Sequence, residues 1–77
     1  MINKNEIIPI FFTIDDGYAP YLHVALISLI ENASEDRKYK IIVVYQELNE
    51  ENRNNLAALV KNHQNFEIEF KYMKQSL

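Results

Sequence analysis

The chain has 77 residues, enough for one small domain at most. With 48% apolar and 12% aromatic residues it can build a core, which excludes a disordered class, and its net charge of −3 with interspersed signs leaves no basic footprint for nucleic acid or an anionic membrane. There is no cysteine and only two histidines, His23 and His63, which removes disulfides, thiolate nucleophiles and cysteine metal sites. A polar start ahead of a short apolar run does not read as a signal peptide. No segment approaches the roughly 20 apolar residues of a membrane span, so a cytoplasmic location is expected.

The first predicted element is a strand over residues 7–14, Ile7-Ile8-Pro9-Ile10-Phe11-Phe12-Thr13-Ile14, rich in β-branched and aromatic residues without polar alternation. That is the pattern of a parallel strand covered on both faces. Pro9 is expected only near its beginning. Asp15-Asp16-Gly17-Tyr18 then reads as a tight acidic turn, in which Gly17, the only glycine, gives conformational freedom and the aspartates can cap the next helix.

A helix is predicted over residues 18–32, with Pro20 tolerated in its first turn, where an N–H has no partner to lose. Tyr21, Leu22, Ala25, Leu26, Leu29 and Ile30 recur at helical spacing, and Val24 and Ile27 widen the stripe, predicting burial on more than one side. After a polar loop, Tyr39-Lys40 leads into a second buried strand, Ile41-Ile42-Val43-Val44-Tyr45. Asn49 is a good N-cap, and Glu50 and Glu51 suit the positive end of the helix that follows to about residue 62, with Leu56, Leu59 and Val60 as its core stripe. Residues 66–72 alternate apolar with charged, as in an edge strand with one wet face.

A βαβαβ order implies a three-stranded parallel sheet, order 3-2-1, with right-handed crossovers laying both helices on one face. Strands one and two nevertheless carry apolar residues on both sides. Burying one such side chain is worth about 1.5–3 kcal/mol in a domain stable by only about 5–15 kcal/mol. The pattern therefore predicts half of a larger domain, or a homodimer or higher oligomer formed through the uncovered sheet face. A ligand is expected at the carboxyl end of the first strand.

The run from Ile8 through Asp15-Asp16-Gly17-Tyr18-Ala19-Pro20-Tyr21-Leu22, followed by Ala25-Leu26-Ile27-Ser28-Leu29-Ile30-Glu31-Asn32, resembles the start of glycosyltransferase family 8. The resemblance continues through Tyr39-Lys40-Ile41-Ile42-Val43-Val44, Leu48-Asn49-Glu50-Glu51-Asn52 and Phe66-Glu67-Ile68, nearly the whole chain. That family comprises retaining enzymes of the Rossmann-like GT-A fold, among them lipopolysaccharide galactosyl- and glucosyltransferases.

The resemblance implies an N-terminal nucleotide-binding subdomain spanning residues 1–77, part of a hexosyltransferase that moves sugar from a UDP-sugar donor to a saccharide acceptor with Mn2+. Thr13 and Ile14 would present strand-end backbone to the nucleotide, Asp15 would accept from the uracil N–H, and Tyr18 would stack on the base. Gly17 stands where the family commonly has asparagine. The family's Asp-x-Asp metal motif lies beyond a fourth strand and has no counterpart here, so the resemblance implies no catalytic and no metal-binding residue in this chain and no activity of these residues alone.

From the residues by themselves Asp15 and Asp16 read equally as helix caps, and Asp16 is assigned that structural role. Tyr21 is assigned to the core, His23 to a partly buried structural position, and His63 to solvent. Two other functions compete. One is a signalling receiver domain, which needs an aspartate ending the third strand where this chain has Lys71-Tyr72-Met73-Lys74. The other is a non-catalytic, self-associating module.

Overall fold

The computed structural model describes residues 6–74. It contains β1 (Ile7–Ile14), α1 (Ala19–Asn32), β2 (Lys38–Tyr45), α2 (Glu50–Lys61) and β3 (Phe66–Tyr72). β2 is central and pairs in parallel with both β1 and β3, giving the predicted order. The two helices pack against each other on one face of the sheet. Local chemistry fixes their ends. Asn49 caps α2 by accepting from the Asn52 N–H at 2.8 Å, Glu50 and Glu51 occupy its first turn and Lys61 its last. In α1 Pro20 sits in the first turn, where its missing N–H breaks no bond.

The register sorts side chains by face, because successive residues of a strand point to opposite sides. The rows Ile10, Ile41, Ile68 and Phe12, Val43, Phe70 face the helices. There they join Leu22, Leu26, Leu56 and Val60 in a core whose centre, at Leu26, Ile41 and Val43, excludes water completely. The row Phe11, Ile42, Glu69 lies on the open face. Phe11 is 66% exposed there, as expected for an uncovered face, but Ile42 is only 8% exposed. Its row neighbours and the stem of Lys40 beside it shield it, since a long charged side chain covers apolar surface while its head stays in water.

The β3 side of this open face is charged. Glu69 accepts both Lys40 and Lys71, each at 3.4 Å. Hydrogen bonding and attraction from Lys40, and then from Lys71, hold the Glu69 carboxyl below its ordinary value of 4.5. A folded-state value below the unfolded one means stability that is present above pH 4.5 and lost as pH falls through the lowered value. Glu69→Gln should therefore remove a small part of the acid dependence of the melting temperature below that pH while leaving neutral stability nearly unchanged, because the pair is solvated and screened. Thermal melts of both proteins from pH 7 to pH 3 read this directly; an unchanged acid limb would mean that the pair does not persist in solution.

Three expectations need correction. α1 is buried on one side only, through Ala19, Leu22 and Leu26, while Val24 is 65% exposed and Ile27 37%. Tyr21, assigned to the core, is 71% exposed. The cause is the same for both: α1 has the sheet beneath it and α2 on one flank, and on the other flank β1 is the last strand among the described residues, with no described element beyond it. His63 is half-buried, its ring edge-on to Phe66 at 6.5 Å. Pro9 stands third in β1, near its beginning as expected, and is accommodated there because β1 is an edge strand. Among the described residues no helix is long and apolar enough to cross a membrane.

Candidate nucleotide site

The carboxyl ends of parallel strands leave a crevice where an open α/β sheet takes its ligand. Here that crevice is a cleft of about 290 Å3 lined by Thr13, Ile14, Asp15, Tyr18, Gln46 and Met73. The four residues singled out in the sequence thus share one cleft. Gln46 and Met73 were not foreseen. Gln46 is the residue after the end of β2, a position that alone could have marked it, whereas Met73 arrives through tertiary pairing: its N–H donates to the Tyr45 carbonyl at 2.7 Å. Tyr45 is itself anchored, its hydroxyl accepting from Arg53 Nη1 at 2.8 Å while the guanidinium lies 5.4 Å from its ring centre.

Asp15 closes the turn ahead of α1, which has no side-chain cap of its own, and keeps capacity beyond that bond. Its Oδ1 accepts the Tyr18 N–H at 3.0 Å, and its backbone carbonyl accepts the same N–H at 3.1 Å. A carboxylate offers about four lone-pair sites, so one turn bond leaves room for a donor on a ligand. The Tyr18 backbone is therefore held while the residue stays 64% exposed, its ring edge-on to Tyr21 with ring centres 5.9 Å apart. A flat aromatic face beside a carboxylate acceptor can take a planar, N–H-bearing heterocycle.

Asp16 does not cap the helix it precedes. Its Oδ1 accepts the Asn49 N–H at 2.8 Å and Asn52 Nδ2 at 3.1 Å, tying the first turn to the start of α2. The sequence could not show this, because the partners lie 33 and 36 residues away. Asp16→Ala should cost about 1–2 kcal/mol in urea denaturation, whereas Asp16→Asn, which retains an Oδ1 acceptor, should lose less than half of that. Equal stability of the alanine variant and the parent would show that the bridge contributes nothing in solution.

Gly17 does not need the conformational freedom read into it, for no described residue has a positive φ. What the glycine provides is room: a Cβ there would come within 3.3 Å of Asp15 Oδ1. A second cleft of about 300 Å3 lies on the far side of Asp16, between the start of α1 and α2, lined by Ala19, Pro20, His23, Asn52, Asn55 and Leu56. His23 is half-buried there, as expected.

The family model described as glycosyl transferase family 8 matches residues 9–76. Among solved structures, one described as a WbbM bifunctional glycosyltransferase in its apo form superposes with a TM-score of 0.83 at 25% identity. The match covers 87% of this chain and 12% of that one, so the present chain spans about an eighth of the length of the protein it resembles. No curated protein matches significantly.

Proposed function

The chain belongs to glycosyl transferase family 8, and from that premise we propose that it forms the uridine end of the donor pocket of a retaining hexosyltransferase. Its fold is the Rossmann-like βαβαβ arrangement of a GT-A glycosyltransferase. In this reading the donor is a uridine diphosphate sugar and the acceptor a saccharide. The observation that carries it is the gathering of Thr13, Ile14, Asp15 and Tyr18 around one cleft at the ends of the strands. Thr13 and Ile14 offer strand-end backbone, Asp15 accepts from the N–H of the uracil ring, and the exposed Tyr18 ring covers the face of the base.

Among the described residues no three His, Cys, Asp or Glu side chains gather as metal ligands, so the residues present do not fit the manganese expected with such donors. No step is assigned to a metal on this chain. Base binding is the role given to these residues, and sugar transfer is assigned to a complete enzyme rather than to these 77 residues.

Titration of uridine diphosphate into the chain, followed by the amide signals around Tyr18 with and without manganese, tests this reading. Saturable binding of equal strength under both conditions is expected. It should be about tenfold, or 1.4 kcal/mol, tighter than for cytidine diphosphate, whose ring nitrogen facing Asp15 accepts rather than donates. A folded chain that shows no shifts overturns the assignment.

A further inference from the structure

The turn that carries Asp15 and Tyr18 has no packing to hold it. Asp15, Asp16, Gly17 and Tyr18 are all exposed, and the bonds that close the turn run within it or into the start of α1: the Tyr18 N–H donates to Asp15, and the Ala19 N–H to the Asp16 carbonyl at 3.3 Å. Among the described residues one side chain of the turn is hydrogen-bonded to another part of the fold. That is Asp16, whose Oδ1 takes both the Asn49 N–H and Asn52 Nδ2. The adjacent carboxylates thus divide the work, Asp15 lining the cleft at the strand ends and Asp16 gripping the start of α2.

The support that Asp16 grips is fixed by other means. Residues 46–49 connect β2 to α2, and Gln46, the first of them, lines the same cleft as Asp15 and Tyr18. Leu48 is buried and Asn49 caps α2. Just ahead of the connection, Tyr45 is held by the Met73 N–H on its carbonyl and by Arg53 on its hydroxyl. A turn fastened to such a support takes its position from it. Unfastened, the turn keeps its own internal bonds and loses its place relative to Gln46.

We propose that Asp16 is a positioning residue of the nucleotide pocket: its bonds to Asn49 and Asn52 hold the first turn against the second, so that Asp15, Tyr18 and Gln46 stand ready around one base. This role rests on the reading of that cleft as the uridine site. A pocket formed in only a fraction of chains binds more weakly by that fraction. If the unfastened turn is in place about a tenth of the time, the affinity falls about tenfold. The coupling is reciprocal. Nucleotide in the cleft should strengthen the tie and protect the Asn49 N–H, although Asn49 does not line the cleft.

Calorimetric titration of uridine diphosphate into the 77-residue chain and three variants, each at a temperature where it is folded, tests the proposal. Asp16→Ala should bind about tenfold more weakly than the parent. Both bonds fall on one oxygen, which an amide also has, so Asp16→Asn should stay within about threefold. The two substitutions remove the same charge, and the difference between them therefore reads the hydrogen bonds rather than repulsion of the diphosphate. Val60→Ala, in the buried last turn of α2, destabilises the chain away from the tie and should bind as the parent does. Exchange of the Asn49 amide should slow in the parent as nucleotide saturates it. Asp16→Ala binding like the parent, Val60→Ala losing as much affinity as Asp16→Ala, or an Asn49 amide indifferent to nucleotide each overturns the proposal and leaves Asp16 to the fold alone. A folded parent that binds no nucleotide overturns the uridine reading itself, and the role of Asp16 with it.

Discussion

Leu26→Ala is expected to lower the free energy of unfolding by about 3 kcal/mol, within the range of 2–5 seen when a buried leucine is cut to alanine. Leu26 is wholly buried and belongs to the cluster that joins α1 to Ile41 and Val43 of the central strand and to Leu56 and Val60 of α2. Removing its isobutyl group takes away transfer energy and leaves a void that the strands on one side and α2 on the other cannot both move to fill. A chain of this length has about 4–12 kcal/mol in total, so a large share of its stability is at stake. Urea denaturation followed by circular dichroism measures the loss. Val24→Ala, two residues away on the exposed side, is the companion measurement and should change stability by less than about 0.5 kcal/mol. If the two variants behaved alike, α1 would not be packed on the sheet by the face described.

Tyr18→Ala is expected to weaken binding of uridine diphosphate between about fivefold and 150-fold, the equivalent of 1–3 kcal/mol for one base on one aromatic ring. The size follows from the exposure of the ring, which has little to lose in the free protein and a whole face to gain when a base covers it. The turn should survive the change, because Asp15 holds the Tyr18 N–H and not the side chain. Tyr18→Phe should bind almost as tightly as the parent, since stacking uses the ring face and not the hydroxyl. Calorimetry of the three proteins distinguishes a stacking ring from a structural one: a fall in melting temperature as large as the fall in affinity would assign Tyr18 to the fold alone.

Much of this architecture could be read from the residues, because its signals are local. β1 and β3 are bounded as the apolar run and the alternation predict, and α2 begins where Asn49 caps it. Right-handed crossovers with both helices on one face go with the order 3-2-1, which the structure has. Side-chain partners were a different matter. Helical spacing groups Tyr21, Val24 and Leu26 on one element but says nothing of how wide a neighbour lies beneath it, so Tyr21 was placed in a core that β1, as the last strand, does not extend far enough to provide. Asp16 was recognisable as a hydrogen-bond acceptor. Which helix it serves depends on a fold that brings Asn49 and Asn52 to it. At the cleft, Thr13 to Tyr18 are contiguous and legible, whereas Met73 reaches the site only through the pairing of β3.

The central place of β2 has a consequence for how the chain reaches its structure. Each of its two βαβ units is a loop closed through a strand that both share, and that strand holds Ile41 and Val43. Neither unit can be completed by itself, since β1 with α1, or α2 with β3, lacks the strand against which its apolar side closes. Loop closure must be paid for on each side of β2 before either side is rewarded. Assembly is therefore expected to be all-or-none: the two units form together around the middle strand and are lost together, with no half-folded species of long life between.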